Sequence, residues 1–465
     1  MNEPRLREQV LRGGIYLSVR QTVGIAINVA GVFLLMRIIG PGDWGIYAAA
    51  IGYFTTLQLV TQLGIPVYLV RAEDPRDRAG LNQASTLLLL FAIAGVAVGA
   101  LLLPIFEAST RLELRAPAFA LLLGLPAANL AAVALAHLER TLDFKRIAWL
   151  ELSGQAVFYT VAIVAATFDR GVWAPVIGWW AQQTVLTGLG LVFARYTPRL
   201  TWNDGLVRDI LTYGTGFSVS LWMYQLRRIV NPLVVGRYLG AEAVGVVSLC
   251  AQIVAQLGFA SVATWRIATA ALARVQSRRD RLLKAINEGM HLQVLAVSPF
   301  LLAAAWTAPW LLPLMLGESW RDAGVIFPYI AAGFLINTMF TMHSSAMYVL
   351  RRNVHVGLAH AVQFAALFAT ASLLVPRFGL DGYGLAEVST ILGYLVLHAA
   401  TTRTIGKPNY KHTAPLAIAV ALAMFTHKLG FVPLLVLAGT LAITQPWRDV
   451  RNIVAELRGA MSGAS

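Results

Sequence analysis

Charge is what this sequence has least of. Only 13% of its 465 residues are Asp, Glu, Lys or Arg, where a soluble globular chain carries about a quarter. Cysteine is scarcer still, and the single Cys250 excludes both a disulfide framework and a thiolate metal site. The sequence holds no G-x-x-x-x-G-K-[ST] run to cradle phosphates and no H-E-x-x-H zinc pair. It also has no G-x-S-x-G nucleophile elbow and no C-x-x-C pair. These absences predict a protein that is not an enzyme and needs no cofactor or metal.

Apolar residues fill the space that charge leaves. They make up 57% of the chain, the mean hydropathy is +0.65, and runs of about 20 apolar residues, enough to cross a hydrocarbon core, recur from end to end. The expected fold is all-α: a polytopic membrane protein of about 14 transmembrane helices. The first apolar stretch continues to Met36, too long for a cleaved signal segment. Spans are expected near 14–36, 43–68, 82–104, 117–138, 147–167 and 172–194, then near 210–236, 243–272, 288–313, 323–350, 355–375 and 382–402. A last pair falls near 413–428 and 430–445. This predicts two parallel six-helix lobes, 1–205 and 206–405, with residues 406–465 adding two helices and a tail.

The cations test that map. The N-terminal tail and every second loop hold twenty-five of the 37 Lys and Arg residues, the intervening loops hold eight, and four lie within spans. By the positive-inside rule both termini are cytoplasmic, in a multi-pass protein of the cell inner membrane. An even number of spans per lobe points both lobes the same way, as parallel repeats with the pathway between them. The basic run from Arg274 to Lys284 reads as a solvated loop facing lipid headgroups. None of the outward loops exceeds about 15 residues, leaving no room for a folded outer domain.

A turn organises each half. At Arg37-Ile-Ile-Gly40-Pro41-Gly-Asp43-Trp-Gly45 an apolar run is cut by a Gly-Pro-Gly sequence that no helix crosses intact, and Asp43 stands ready to cap the next helix. About 200 residues later the chain reads Arg237-Tyr-Leu-Gly240-Ala-Glu242-Ala-Val-Gly245. The echo marks two related halves, each opening on the same helical hairpin. Gly40, Pro41, Asp43, Gly240 and Glu242 are the candidate hairpin or gate residues, and the acids are expected to cap helices at the outer surface.

Charges within spans are costly and so point to function. Arg20 lies in the first span, Arg227 and Arg228 midway along the seventh, and Arg266 in the eighth. Arg20 and Arg266 are close enough to a boundary to snorkel; Arg227 and Arg228 are not, and at about 100° apart one of them should face the cavity. Few acids match them; Glu151 and Glu387 are candidate coupling sites or charge partners. Surplus guanidinium suits an anionic passenger, above all phosphate or pyrophosphate. The five histidines His137, His291, His343, His360 and His398 show no ligand spacing and read as packing residues. Neutral polar residues such as Asn28, Asn231 and Asn337 read as interhelical glue, and the pairs Trp179-Trp180 and Trp306/Trp310 as interfacial belts. Pro66 and Pro232 are expected to kink their helices.

The stretch from Arg37 to Ala48 resembles the first-hairpin signature of Wzx-type polysaccharide flippases of the multidrug/oligosaccharidyl-lipid/polysaccharide exporter superfamily. The second copy is similar, although Val247 stands where that family usually has Tyr. The resemblance implies a V-shaped pair of six-helix lobes and an undecaprenyl-pyrophosphate-linked oligosaccharide as substrate. It further implies transfer to the periplasmic leaflet, driven by an ion gradient, beside the polysaccharide polymerase and glycosyltransferases of one pathway. Alternatives within the superfamily are a peptidoglycan-precursor flippase and a multidrug antiporter; a different class is a membrane polysaccharide polymerase or ligase, which needs a sizeable outer loop. Reporter fusions should place 274–284 in the cytoplasm and 105–116 outside. A large outward loop found instead would restore the enzyme reading.

Overall fold

The computed structural model describes residues 3–71, 78–258, 272 and 278–444, with side chains except those of 3–22, 213 and 215–221. All regular structure among the described residues is helical. The helices are α1 (Glu3–Gln62), α2 (Ile65–Arg71), α3 (Arg78–Thr110), α4 (Arg115–Leu122), α5 (Leu125–Arg140), α6 (Phe144–Thr167) and α7 (Trp173–Ala194). They continue as α8 (Asp204–Leu226), α9 (Arg237–Leu239), α10 (Ala241–Leu257), α11 (Arg279–Leu316), α12 (Ala323–Val349) and α13 (Asn353–Val388). The last are α14 (Ile391–Thr404), α15 (Thr413–Ala423), α16 (Thr426–Leu429) and α17 (Val432–Thr444). Seven described helical stretches are long and apolar enough to cross a membrane, or eight if the bent pair α4–α5 is one span.

The expected turn at Gly40 is a break inside α1, with Gly40 at φ 77°, ψ 173°. Gly240 does the same between α9 and α10, at φ 86°, ψ −175°. This corner of backbone space is open almost only to glycine. Pro41 then begins the new helix, where its missing N–H costs nothing. Asp43 therefore sits in the first turn, not before it, and its carboxylate lies against Gly171, where a Cβ would come within 2.8 Å of Oδ2.

Two further breaks use the same conformation: Gly379 inside α13 at φ 58°, ψ −135°, and Gly430 after α16 at φ 70°, ψ −150°. The first reveals a third copy of the motif. Arg377-Phe-Gly379-Leu-Asp381-Gly-Tyr-Gly384 has the cation before the turn, the acid after it, and a second glycine five residues beyond the first.

Contacts gather into two compact units, Met1–Val246 with Met315–Ser319, and Val247–Leu314 with Trp320–Ser465. In the first, a core of Ile65, Leu69, Leu81, Leu87, Leu88, Val133, Leu138, Ile147, Leu150 and Ile210 joins α2, α3, α5, α6 and α8. Polar ties cross it. Asn129 Nδ2 donates to Leu88 O (3.1 Å) and to Thr61 Oγ1 (3.3 Å). Tyr196 donates to Asn82 Oδ1 (2.9 Å), and Gln83 Oε1 accepts from Asn203 N (2.7 Å). In the absence of a hydrophobic drive between helices in lipid, such bonds and close packing hold a bundle together.

Trp179 departs from the expected belt. It is 5% exposed, packs edge-on against Phe54 (4.7 Å), and fills the bend between α4 and α5, where a Cβ on Gly124 would meet its ring at 2.3 Å. Trp180 donates to Ala120 O (3.1 Å). In the second unit, Trp306 donates to Ala423 O (2.8 Å). Trp179 is thus a packing residue, because the bent helix leaves a hole of indole size.

Alanine at Gly40 or Gly240 should cost about 1–3 kcal/mol, the strain of a side chain in this backbone region. Thermal unfolding of the purified protein in detergent checks it; an unchanged midpoint would show that the turn tolerates another conformation.

Candidate functional site

The seventh predicted span is where the helix loses its regularity. α8 ends at Leu226, Arg227–Ile229 form a 3₁₀ turn, and Asn231–Gly236 form a π-helical stretch. Pro232 supplies the cause. It has no N–H to offer the carbonyl four residues back, that of Arg228, and its ring crowds that position. The expected kink is therefore a change of helix type. Asn231 Nδ2 braces the wide turn by donating to Val244 O (3.2 Å). Pro66 lies in the first turn of α2, after a break at Leu63 and Gly64, both at positive φ.

At the break Arg228 is exposed and Arg227 half-buried. Adjacent residues point apart, so one guanidinium looks outward and the other into the packing. Helix breaks of mixed 3₁₀ and π type recur at functional sites, because they free carbonyls and re-aim side chains. Arg20 is in α1, but its side chain lies outside the described residues, and Arg266 lies outside them altogether.

Glu151 is better placed than its sequence position suggests. It lines a pocket of about 450 Å³ within the first unit, together with Asn28 and Tyr47 from the two arms of α1, Gln155 and Tyr159 from α6, and Gln182 from α7. Gln155 is oriented by donating to Gly24 O (2.9 Å). Tyr159 lies against Gly31, where a Cβ would meet the ring at 2.3 Å. A carboxylate among neutral amide and phenol groups can exchange a proton or hold a small cation. Asn28 is thus a pocket residue as well as a candidate for helix contacts. Glu387 is elsewhere. It is buried in the second unit on α13, its Oε2 3.6 Å from where a Cβ on Gly333 would stand.

The second unit holds a constellation that sequence reading missed. The Tyr410 hydroxyl lies 2.8 Å from both His343 Nε2 and His398 Nδ1, and its ring stacks on His343 at 5.8 Å between centroids. His343 Nδ1 is buried without a partner among the described residues. A bare acceptor is cheaper to bury than a bare N–H, which favours the tautomer with the proton on Nε2, donating to Tyr410. Tyr410 then donates to His398 Nδ1, and His398 Nε2 faces Thr402 Oγ1 at 3.5 Å. Burial pushes the Tyr410 hydroxyl above its ordinary range, keeping it a neutral donor. The network fastens the segment between α14 and α15 to α12 and α14; Asn409 N, donating to Asn287 Oδ1 (2.9 Å), fastens it to α11. His343 and His398 are packing residues with a shared partner. His291 meets Thr413 Oγ1 (3.3 Å) and His360 meets Gln363 Oε1 (3.0 Å).

With this geometry in hand, the comparisons decide the family. Residues 34–324 match the family model described as "Polysaccharide biosynthesis protein". The chain belongs to that family. Among its relatives is the lipopolysaccharide biosynthesis protein WzxC of Escherichia coli (strain K12), 21% identical over 412 residues, 85% of this chain and 80% of the relative. A putative O-antigen transporter of Shigella flexneri is 22% identical over 232 residues, 46% of this chain and 55% of the relative. In fold the family member described here is similar to lipid II flippase MurJ in an inward closed conformation, with a TM-score of 0.70 and 12% identity, covering 95% of this chain and 99% of that one. An inward-facing MATE multidrug transporter of the MOP superfamily follows at TM-score 0.61 and 16% identity, covering 84% of this chain and 99% of that one. The matched segment contains both hairpins, Glu151 and the arginine pair.

Tyr410→Phe should cost about 1–3 kcal/mol, because it strands two ring nitrogens at once. Limited proteolysis across 405–412 reads the effect; an unaltered cleavage rate would mean that the hydroxyl holds nothing in place.

Proposed function

We propose that this protein is a flippase for an undecaprenyl-pyrophosphate-linked oligosaccharide repeat unit. It carries the unit from the cytoplasmic to the periplasmic leaflet for surface polysaccharide synthesis. The observation that carries the proposal is an exposed guanidinium, Arg228, at a helix break in a chain of the polysaccharide biosynthesis family. A pyrophosphate accepts bidentate bonds from Arg. The names of the two relatives, one in lipopolysaccharide biosynthesis and one an O-antigen transporter, support the same substrate class.

The physical need is plain. A sugar chain cannot cross hydrocarbon without leaving its hydroxyls unpaired. A protein that offers a polar path to the headgroup while the prenyl tail stays in lipid removes that cost. In this scheme Arg227 and Arg228, with Arg20 and Arg266, receive the pyrophosphate, and Glu151 in its pocket is the coupling site. Fourteen spans, lobes at 1–205 and 206–405, two added helices at 406–465, and cytoplasmic termini in the inner membrane complete it.

Leaflet-resolved assay of the lipid-linked repeat unit in a deletion strain tests the scheme. The intermediate should build up on the cytoplasmic face and be cleared by the wild-type protein. Arg227→Ala/Arg228→Ala should clear it at least about tenfold more slowly, the loss of one charge-assisted contact, and Glu151→Gln should abolish its dependence on the ion gradient. Accumulation on the periplasmic face instead would remove the flippase assignment and favour a polymerase or ligase.

A further inference from the structure

The two hairpins meet within the first unit, and they meet reciprocally. A Cβ on Gly45 would come within 1.8 Å of Ala241 O, and one on Gly245 within 2.1 Å of Pro41 O. Each glycine thus lets the other hairpin's first helical turn lie backbone against backbone. The four residues keep the 200-residue offset of the sequence echo, so the contact is a two-fold relation between the repeats.

The arginines that open the two motifs repeat the relation. Arg37 Nη1 donates to Met315 O at 2.8 Å. Arg237 Nη1 donates to Ser109 O at 3.4 Å. Each acceptor is the next-to-last residue of its helix, α11 (Arg279–Leu316) and α3 (Arg78–Thr110). The carbonyls at a helix C-terminus lack intrahelical donors and carry the negative end of the dipole, so a guanidinium satisfies both. Both arginines are otherwise exposed, and each spends one N–H of its fork on a neutral carbonyl. Such bonds are worth little individually and are reversible.

We propose that Arg37 and Arg237 are paired latches of an outer gate. Each holds the open end of a helix, the glycine crossing seats the hairpins between them, and transport requires both latches to release together. The contacts are of one kind on both sides, so losing either weakens the same closure. The inference goes beyond the substrate assignment, since it concerns only when this end of the protein is shut.

A cysteine pair reads the gate directly. A Cβ on Gly42 would stand 3.7 Å from Glu242 Cγ, close to disulfide reach. Gly42→Cys/Glu242→Cys, in a Cys250→Ser background, should cross-link under mild oxidant in purified protein without substrate. The same cross-link formed in cells should stop clearance of the lipid-linked intermediate, and a reductant should restore it. Adding Arg37→Ala/Arg237→Ala should lower the cross-linking rate about fivefold or more, the weight of roughly one such bond, while Arg37→Lys/Arg237→Lys keeps most of it. Equal size-exclusion profiles exclude misfolding as the cause. The proposal falls if the cysteines never cross-link, if the locked protein transports as the unlocked one does, or if the arginine variants cross-link at the parent rate. Because the cross-linking rate needs no substrate, a failed flippase assignment leaves this outcome readable.

Discussion

Every backbone polar group within an apolar environment has to find a partner, and helices satisfy that demand only while they continue. The structure of this chain depends on how it stops them. At Gly40, Gly240, Gly379 and Gly430 one residue takes a conformation that side chains resist, and the next helix begins within two residues. A turn that short leaves few groups exposed. What remains unpaired at neighbouring helix ends is taken up by cations from the same motif, as Arg37 and Arg237 show.

Packing follows from the same constraint. Where two backbones must approach closely, the chain places glycine, as at Gly45 against Ala241 and Gly245 against Pro41. Where a helix bends, a large ring fills the gap, as Trp179 does at Gly124. Neutral amides and phenols tie helices together at Asn129, Asn231 and Tyr196. The irregular stretch from Arg227 to Gly236 is the exception: Pro232 removes a bond that nothing in a regular helix can replace, and the arginine pair sits at the place so distorted.

Most of the fold was legible in the sequence, and less of the site. The first hairpin could be read because turn chemistry is local, since Gly-Pro-Gly cannot continue a helix wherever it stands, and the second could be read as its echo about 200 residues later. The third copy escaped notice because Arg377 precedes its glycine by two residues, not three, and an ordinary apolar stretch surrounds it. Arg228 was singled out because a charge is conspicuous in a predicted apolar span. The pocket around Glu151 was not, because Asn28, Gln155 and Gln182 are each unremarkable polar residues on three different helices. His343, His398 and Tyr410 likewise look scattered until the chain brings them to one hydroxyl.

By itself the sequence determined the class of fold, its long apolar helices and the repeated hairpin. Each follows from local composition and from the cost of placing charge or broken backbone in an apolar medium. Only the tertiary structure decided which residues share a pocket, which carbonyls Arg37 and Arg237 hold, and that Trp179 packs inside. Those are relations between helices, and the pattern along one helix carries no record of its neighbour.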